Sequence, residues 1–203
     1  MRLAFTTFAI LKEPYGHPTV QGFDDRTPAV FKEAESSPGF VARAVEVSGS
    51  EHSNFERDWG AWGPFCVPRF YTLGREEGTD QRACTLSIWI DIPSVLSFVY
   101  GKLHLAALKK RSEWFKLPEW PTYACWWISD TYIPQWSEAC DFLEKLHDNG
   151  PSAEVFNLDC CFDAEGRPLS SQALREEAQR RKRAMSGLTG DSITSSMPVE
   201  ETR

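Results

Sequence analysis

Tyr100, His104, Leu108, Arg111 and Phe115 fall at i, i+4, i+8, i+11 and i+15. On an unbroken helix they would form one stripe. A stripe that mixes a phenol, an imidazole and a guanidinium with apolar residues is not an ordinary core face. Imidazole exchanges a proton near neutral pH, and a guanidinium one or two turns away can hold a carboxylate or a developing oxyanion. The chemistry expected is proton transfer with charge stabilisation: His104 as general acid or base, Arg111 as anion clamp and Tyr100 as hydrogen-bond donor. The competing reading has His104 and Arg111 bonding backbone carbonyls and acidic side chains at a subunit interface.

Two strand-like segments add aromatic surface. Ser87 and Trp89 on one, and Tyr123 and Trp127 on another, alternate out of phase with their aliphatic neighbours, so one face of each strand offers flat walls. Such walls suit a polyene or aromatic ligand and can stabilise developing positive charge through the ring quadrupole. They equally suit a core or a dimer interface. Arg43, alone among Val41, Val45 and Val47, and Phe115, at the end of the stripe, are further candidates for the same pocket. His17 and His52 lie in turn regions, and His147 sits near a helix C-terminus that favours its charge. No Gly-rich phosphate loop, GxSxG, HExxH or dinucleotide fingerprint occurs, so neither a cofactor nor a metal is expected. Haem held by His104 is a third, separate reading.

The elements that must position these residues follow the order strand, helix, strand, hairpin, helix, strand. Leu3 to Leu11 is an apolar run ended by Glu13-Pro14-Tyr15-Gly16 and predicts a buried first strand. Thr27-Pro28 opens a helix that Ser36-Ser37-Pro38-Gly39 stops, ahead of a strand from Phe40 to Val47. Residues 49–66 are polar yet carry Phe55, Trp59, Trp62 and Phe65, which predicts a connection packed over something, a lid included. A hairpin is expected from Val67–Leu73 and Cys84–Asp91 across the turn 74–82. Pro93 opens a helical stretch to Phe115, broken near Gly101, before a strand from Thr122 to Ser129. Trp136, Ala139, Cys140, Leu143, Leu146 and His147 mark one helix face, and a short strand at 154–158 closes a domain over 1–162. Residues 163–203 read as a tail with one charged helix near 171–185 and a disordered end. Its Arg180-Arg181-Lys182-Arg183 run complements a helix C-terminus or marks an anionic-surface patch. The architecture expected is α+β: a ferredoxin-like βαββαβ antiparallel sheet with helices on one face, its other face covered by a partner's sheet in a dimeric α/β barrel.

Composition narrows the function classes. The chain has 203 residues, 41% of them apolar and 13% aromatic, with eight Trp, which is a folding composition. A formal net charge of −7 argues against a phosphate-backbone binder, so no nucleic-acid partner is expected. No stretch approaches the roughly 18 apolar residues of a membrane span. The six cysteines show no CxxC pair and no metal spacing and read as reduced thiols, which together with the absence of a leader-like N-terminus predicts a cytoplasmic protein.

At this point specific segments become recognisable. Phe98-Val99-Tyr100-Gly101-Lys102-Leu103-His104 followed by Arg111-Ser112-Glu113-Trp114-Phe115 resembles the F-V-Y-x-x-x-H and R-x-x-W-F segment of the domain of unknown function 3291 family. Ser37 to Arg43, the Trp126-Trp127 pair and Asn149-Gly150-Pro151-Ser152 before Phe156 agree with it, so the resemblance spans about residues 2–159. It implies a ferredoxin-like dimeric barrel related to the antibiotic-biosynthesis monooxygenases, and no established reaction. The chain departs from the family after the Trp pair, where Thr131-Tyr132-Ile133-Pro134-Gln135 replaces the common Gly-His-x-Pro-Thr turn. The function expected is a cofactor-independent enzyme acting on a hydrophobic small molecule by cyclisation, isomerisation or oxygenation, as in secondary-metabolite biosynthesis. The alternative is a non-catalytic, small-molecule-binding or stress-related barrel.

Overall fold

The computed structural model describes residues 1–47, 58–70 and 81–190, with side chains described as far as 184. Strand β1 (Arg2–Ile10) is apolar on both faces because it runs through the middle of the sheet. It is followed by helices α1 (Pro18–Asp24) and α2 (Thr27–Glu35), strand β2 (Phe40–Arg43), a 3-10 turn at Gly60–Trp62, and strand β3 (Arg82–Trp89). Three short helices come next, α3 (Ile92–Val99), α4 (Lys102–Lys109) and α5 (Arg111–Trp114), and then strand β4 (Tyr123–Ile128). Helix α6 (Trp136–Asn149), the small hairpin β5 (Cys161–Phe162) and β6 (Pro168–Leu169), and helix α7 (Ser171–Gly190) complete the chain. The main sheet has the order β2-β3-β1-β4, with every neighbouring pair antiparallel. The fold is thus mixed α+β around a four-stranded antiparallel sheet.

Register sorts the side chains. Leu3 lies between Trp89 and Trp127, Phe5 between Ser87 and Cys125, and Thr7 between Thr85 and Tyr123. These odd positions share one face, on which Leu3, Phe5, Trp89 and Cys125 pack with Ala34 of α2, Val95, Leu96 and Phe98 of α3, and Phe156. The even positions Ala4, Phe8, Leu86, Ile88, Ala124 and Trp126 form the opposite face. They pack against Trp136, Ala139, Cys140, Leu143 and Leu146, the predicted stripe of α6. The expectation of helices on one face only is therefore corrected. An amphipathic stripe this long must bury somewhere, and the connection after β4 delivers it to the second sheet face.

The aromatic connection lies on that same second face as far as it is described. Trp59 meets Trp136 with ring centroids 5.2 Å apart, and Phe65 lies 5.0 Å from Trp136 and 6.2 Å from Phe8. The backbone N–H of Arg69 donates to Glu144 at 2.7 Å, and its guanidinium reaches Glu144 and Asp148. Residues 58–70 are thus anchored to α6 and contribute to the core rather than covering a void. The expected lid residues 49–57, the strand residues 71–73, the turn at 74–80 and the C-terminal end from 191 lie outside the described residues.

Several elements differ from expectation in instructive ways. Residues 67–70 form no strand. The expected strand at 154–158 reduces to one bridge, in which Phe156 and Cys125 exchange both backbone hydrogen bonds at 2.8 and 2.9 Å and close the outer edge of β4. β2 ends at Arg43, although the Ala44 N–H still donates to Leu86 at 2.8 Å. The charged helix near 171–185 forms as α7 and lies against α3, with Ala178 buried between them. All six cysteines are free thiols, and among the described residues no helix is long and apolar enough to cross a membrane.

Gly39 illustrates how tightly the turn into β2 meets α3. Its φ is +81°, and a Cβ there would stand 2.2 Å from Ser94 Oγ and 2.6 Å from Ile90 Cγ1. Left-handed backbone and overpacking each cost about 1–3 kcal/mol. Gly39→Ala is expected to lower stability by about 3 kcal/mol or more, read from the midpoint of urea unfolding; an unchanged midpoint would refute this packing.

Candidate functional site

The predicted helix from Pro93 to Phe115 is three helices, and its two breaks decide what its residues can do. Tyr100 is the C-cap of α3, and Gly101 starts α4 in an extended conformation, with ψ of 162°. A Cβ on Gly101 would lie 2.7 Å from the Phe98 carbonyl oxygen, so the chain can turn this sharply only at a glycine. A second break at Lys110 separates α4 from α5. The stripe is consequently dispersed. Arg111 is exposed on α5, and Phe115 belongs to a separate small core with Leu11, Val20, Phe23 and Trp114.

His104 is the residue the breaks bring into a defined environment. Its ring lies 4.6 Å from that of Phe98, and Nδ1 is 2.9 Å from the Val99 carbonyl oxygen. A carbonyl only accepts, so Nδ1 carries the proton and Nε2 of the neutral ring is left as the basic atom. Burial pushes the imidazole below its usual 6.5, opposed by the Val99 carbonyl and by the negative charge of Glu33. The result is a half-buried imidazole, neutral at pH 7, with a fixed tautomer.

Glu33 was not legible as a site residue. It sits on α2, yet its two carboxylate oxygens accept the N–H groups of Leu103 at 3.1 Å and His104 at 2.9 Å. These are the first free donors of α4, and Glu33 satisfies them from 70 and 71 residues away in the chain. An acidic residue on a mixed helix carries no sequence signal for such a long-range cap.

The aromatic walls are present and already occupied. Trp89 stacks on Phe98 at 5.3 Å with an interplanar angle of 22° and meets Phe40 edge-on at 5.2 Å. Its indole N–H donates to Ser87 Oγ at 3.0 Å, and Ser87 donates to the Phe5 carbonyl at 3.1 Å. A continuous series of contacts therefore runs from the central strand through Ser87, Trp89 and Phe98 to His104. Trp127 is turned to the small hairpin, where its indole N–H donates to Phe162 at 2.9 Å. Arg43 is drawn to α2, with a 2.7 Å bond to Glu35 and its guanidinium 4.2 Å from the centre of the Phe31 ring.

Space is left further along the odd face. The rows containing Trp89, Leu3, Ser87, Phe5 and Cys125 are buried, whereas Thr7, Thr85 and Tyr123, and beyond them Ala9 and Ala83, are only half-buried. α4 passes from Phe98, which touches His104, to the small core around Trp114, which Ala107 joins. It fully buries none of its residues; His104, Leu105, Ala107 and Leu108 are all intermediate. This half-buried stretch is made of small residues and hydroxyls. Thr7 and Thr85 share a hydrogen bond of 2.7 Å. Tyr123 is pushed up to about 12, chiefly by burial, and so remains a neutral phenol. Tyr100, 45% exposed, is close enough to weigh on that ionisation. At the edge of this floor a cleft of about 180 Å³ is lined by Pro121, Thr122, Tyr123, Leu146, Pro151 and Asn157.

Of the nine residues singled out in sequence, His104, Tyr100, Tyr123, Ser87 and Trp89 thus gather on or above the odd sheet face. Trp127 lies on the same face but packs beside the small hairpin, and Arg43, opposite Ser87, turns to α2, whereas Arg111 and Phe115 lie elsewhere. Among the described residues no group of three His, Cys, Asp or Glu could hold a metal.

The class is thus an α+β domain with a four-stranded antiparallel sheet and one half-buried histidine of fixed tautomer held against Phe98 of α3. The chain belongs to the family described as Domain of unknown function (DUF3291), whose model matches residues 2–172. The match bears out the resemblance carried by the segments at 98–115. No curated protein and no solved structure matches the chain.

Two outcomes follow from the electrostatics. Replacing Glu33 by Gln removes the charge that favours protonated His104, so the imidazole should titrate lower still, as followed by NMR of the ring protons. α4 should also lose about 1 kcal/mol of capping; a titration unchanged or shifted upward would refute the contact. Because His104 is less basic folded than unfolded, the unfolded chain binds more protons in acid. Its contribution to the pH dependence is absent above the unfolded value of 6.5, and stability declines as pH falls from there through the lowered folded value. His104→Gln should flatten that part of the stability profile in urea melts across the window, and an equal slope in both proteins would exclude His104 as its source.

Proposed function

We propose that this protein is a cofactor-independent enzyme that binds a small, uncharged, largely apolar molecule on the half-buried stretch of the odd sheet face beneath α4. The observation that carries this reading is the orientation of His104: Nδ1–H is committed to the Val99 carbonyl, which leaves Nε2 as a base that is unprotonated at neutral pH. A base poised this way can take a proton from an activated carbon or hydroxyl and return it elsewhere, as an isomerisation or a cyclisation requires. Tyr123 and the Thr7–Thr85 pair would supply neutral hydrogen bonds, and the floor of small residues would fix the substrate's conformation. Oxygenation would need molecular oxygen as co-substrate, with the base forming the carbanion that reacts with it.

We read the strand order as ferredoxin-like and the domain as a relative of the antibiotic-biosynthesis monooxygenases. Six free thiols support a reducing, cytoplasmic setting. The homodimer in this reading cannot use a bare second sheet face, because α6 and residues 58–70 of the same chain cover it. Its pairing surface would be the open edge of β2, flanked by the exposed Val45 and Val47.

A second reading has its own support. Phe40, Trp89, Phe98 and His104 interlock and fill the space that the aromatic walls were expected to frame. A barrel that packs its pocket with its own rings would be a binding or stress-related protein without catalysis.

Native mass spectrometry against terpenoid and polyketide extracts separates the two. A bound apolar compound that changes mass or isomer on incubation is expected, with His104→Gln retaining the complex and slowing turnover at least about a hundredfold. Full turnover in His104→Gln would end the base assignment, and a protein that stays empty across the panel would favour the non-catalytic barrel.

A further inference from the structure

The family match ends at residue 172, so almost all of α7 lies beyond it, yet α7 grips the helix on which His104 depends. Asp91 caps the start of α3, accepting the Ser94 N–H at 2.9 Å and the Ser94 hydroxyl at 2.6 Å. Arg181 of α7 binds the same carboxylate through two contacts of 2.8 and 3.1 Å, and Glu177 steadies its guanidinium at 2.8 Å. Midway along α3, Ser97 Oγ donates to the Ala178 carbonyl at 3.2 Å, where Ala178 is 4% exposed. At the far end, Lys182 Nζ donates to the Tyr100 carbonyl at 3.0 Å. Adjacent residues of α7 thus reach opposite ends of a helix only eight residues long.

α3 in turn supplies both groups that orient His104. Phe98 gives the ring its neighbour and Val99 gives Nδ1 its acceptor. A small rotation of α3 would move the carbonyl and the ring together and would let water reach the imidazole. Eight residues hold few internal hydrogen bonds, so a helix this short keeps its orientation through tertiary contacts rather than by itself.

We propose that α7 is the positioning element of the His104 site, with Arg181 and Lys182 as positioning residues that act through α3. The proposal rests on the reading of His104 as the functional base and names what holds that base in its state. Arg181 and Lys182 touch no reacting atom. Their role is to keep the Val99 carbonyl in place and the imidazole screened from water.

The test uses the full chain without ligand. The protein has four histidines, and the ring signal that disappears in His104→Gln identifies His104. In Arg181→Gln and in Lys182→Met the His104 titration midpoint should rise toward 6.5 as burial loosens, and amide exchange at residues 96–104 should quicken by at least about threefold. Arg181→Lys, which keeps the charge, should recover part of both. If Arg181→Gln fails to fold, Lys182→Met, which takes the contact with the Tyr100 carbonyl away from an exposed side chain, gives the same readout. Faster exchange in α7 with an unchanged His104 midpoint and unchanged exchange at 96–104 would overturn the proposal. An empty ligand screen would retire the enzyme reading and leave the titration result standing, so the two failures are distinguishable.

Discussion

The structure around the site depends on one side chain, Phe98, held between Trp89 on the sheet and His104 on α4. Its ring stacks on Trp89 and meets the imidazole at 4.6 Å, so it fixes the distance between sheet and helix at the one place where a titratable group comes near. Trp89 cannot yield, because its N–H is tied to Ser87 and Ser87 to the backbone of β1. Phe98 is itself positioned by α3, which is capped by Asp91 and gripped by α7. Rigidity therefore passes from the central strand outward to the imidazole through aromatic contact and from the C-terminal helix inward through ion pairs. The first route is insensitive to salt, whereas the second, with partly exposed charges, is screened by it.

The same arrangement explains why the odd face is packed at one end and open at the other. Large rings fill the rows at Trp89 and Ser87, and the rows beyond carry only Thr, Ala and one Tyr. α4 packs against α2, α3 and α5, and its inner side chains stop half-buried. The even face carries large side chains along its described rows. There Trp136, Phe65 and Trp59 interlock, Trp126 meets Phe142, and α6 is held by its apolar stripe. The sheet consequently has a structural face and a face with room on it.

Much of this was legible in sequence, for identifiable reasons. β1 announces itself by a largely apolar run bounded by turn residues, β3 and β4 by alternation, and α6 by its i, i+3, i+4, i+7 pattern. Gly101 could be read as a break because glycine in a helical run is a local signal. The stripe from Tyr100 to Phe115 failed because periodicity presumes one axis, and a second break at Lys110 carries no glycine or proline to mark it. Glu33, Arg181 and Lys182 were invisible for a different reason. Their partners lie 70 to 90 residues away, and nothing local distinguishes a Glu that caps another helix from one that faces water. Strand alternation puts Ser87, Trp89 and Tyr123 on one face without any tertiary knowledge, and it puts Arg43 in the Ser87 row, but it could not show that the long Arg43 side chain turns to Glu35 and Phe31 of α2.

The distribution of charge around His104 limits the chemistry further than the histidine alone does. Glu33 spends both carboxylate oxygens on backbone N–H groups, Arg43 is paired with Glu35, Arg181 is paired with Asp91, and Arg111 stands in solvent. Among the described residues, the half-buried stretch of the odd face carries the hydroxyls of Thr7, Thr85 and Tyr123, and the neutral imidazole of His104 stands beside Phe98. In the proposed site, a charged substrate group would lose hydration on burial and would need a counter-charge that these paired side chains do not offer. The reaction proposed for it is accordingly one on a neutral substrate that keeps charge separation brief, with one proton leaving to Nε2 and returning from it. The burial that holds His104 below its ordinary value favours the same outcome, because an imidazolium formed there is eager to give its proton back.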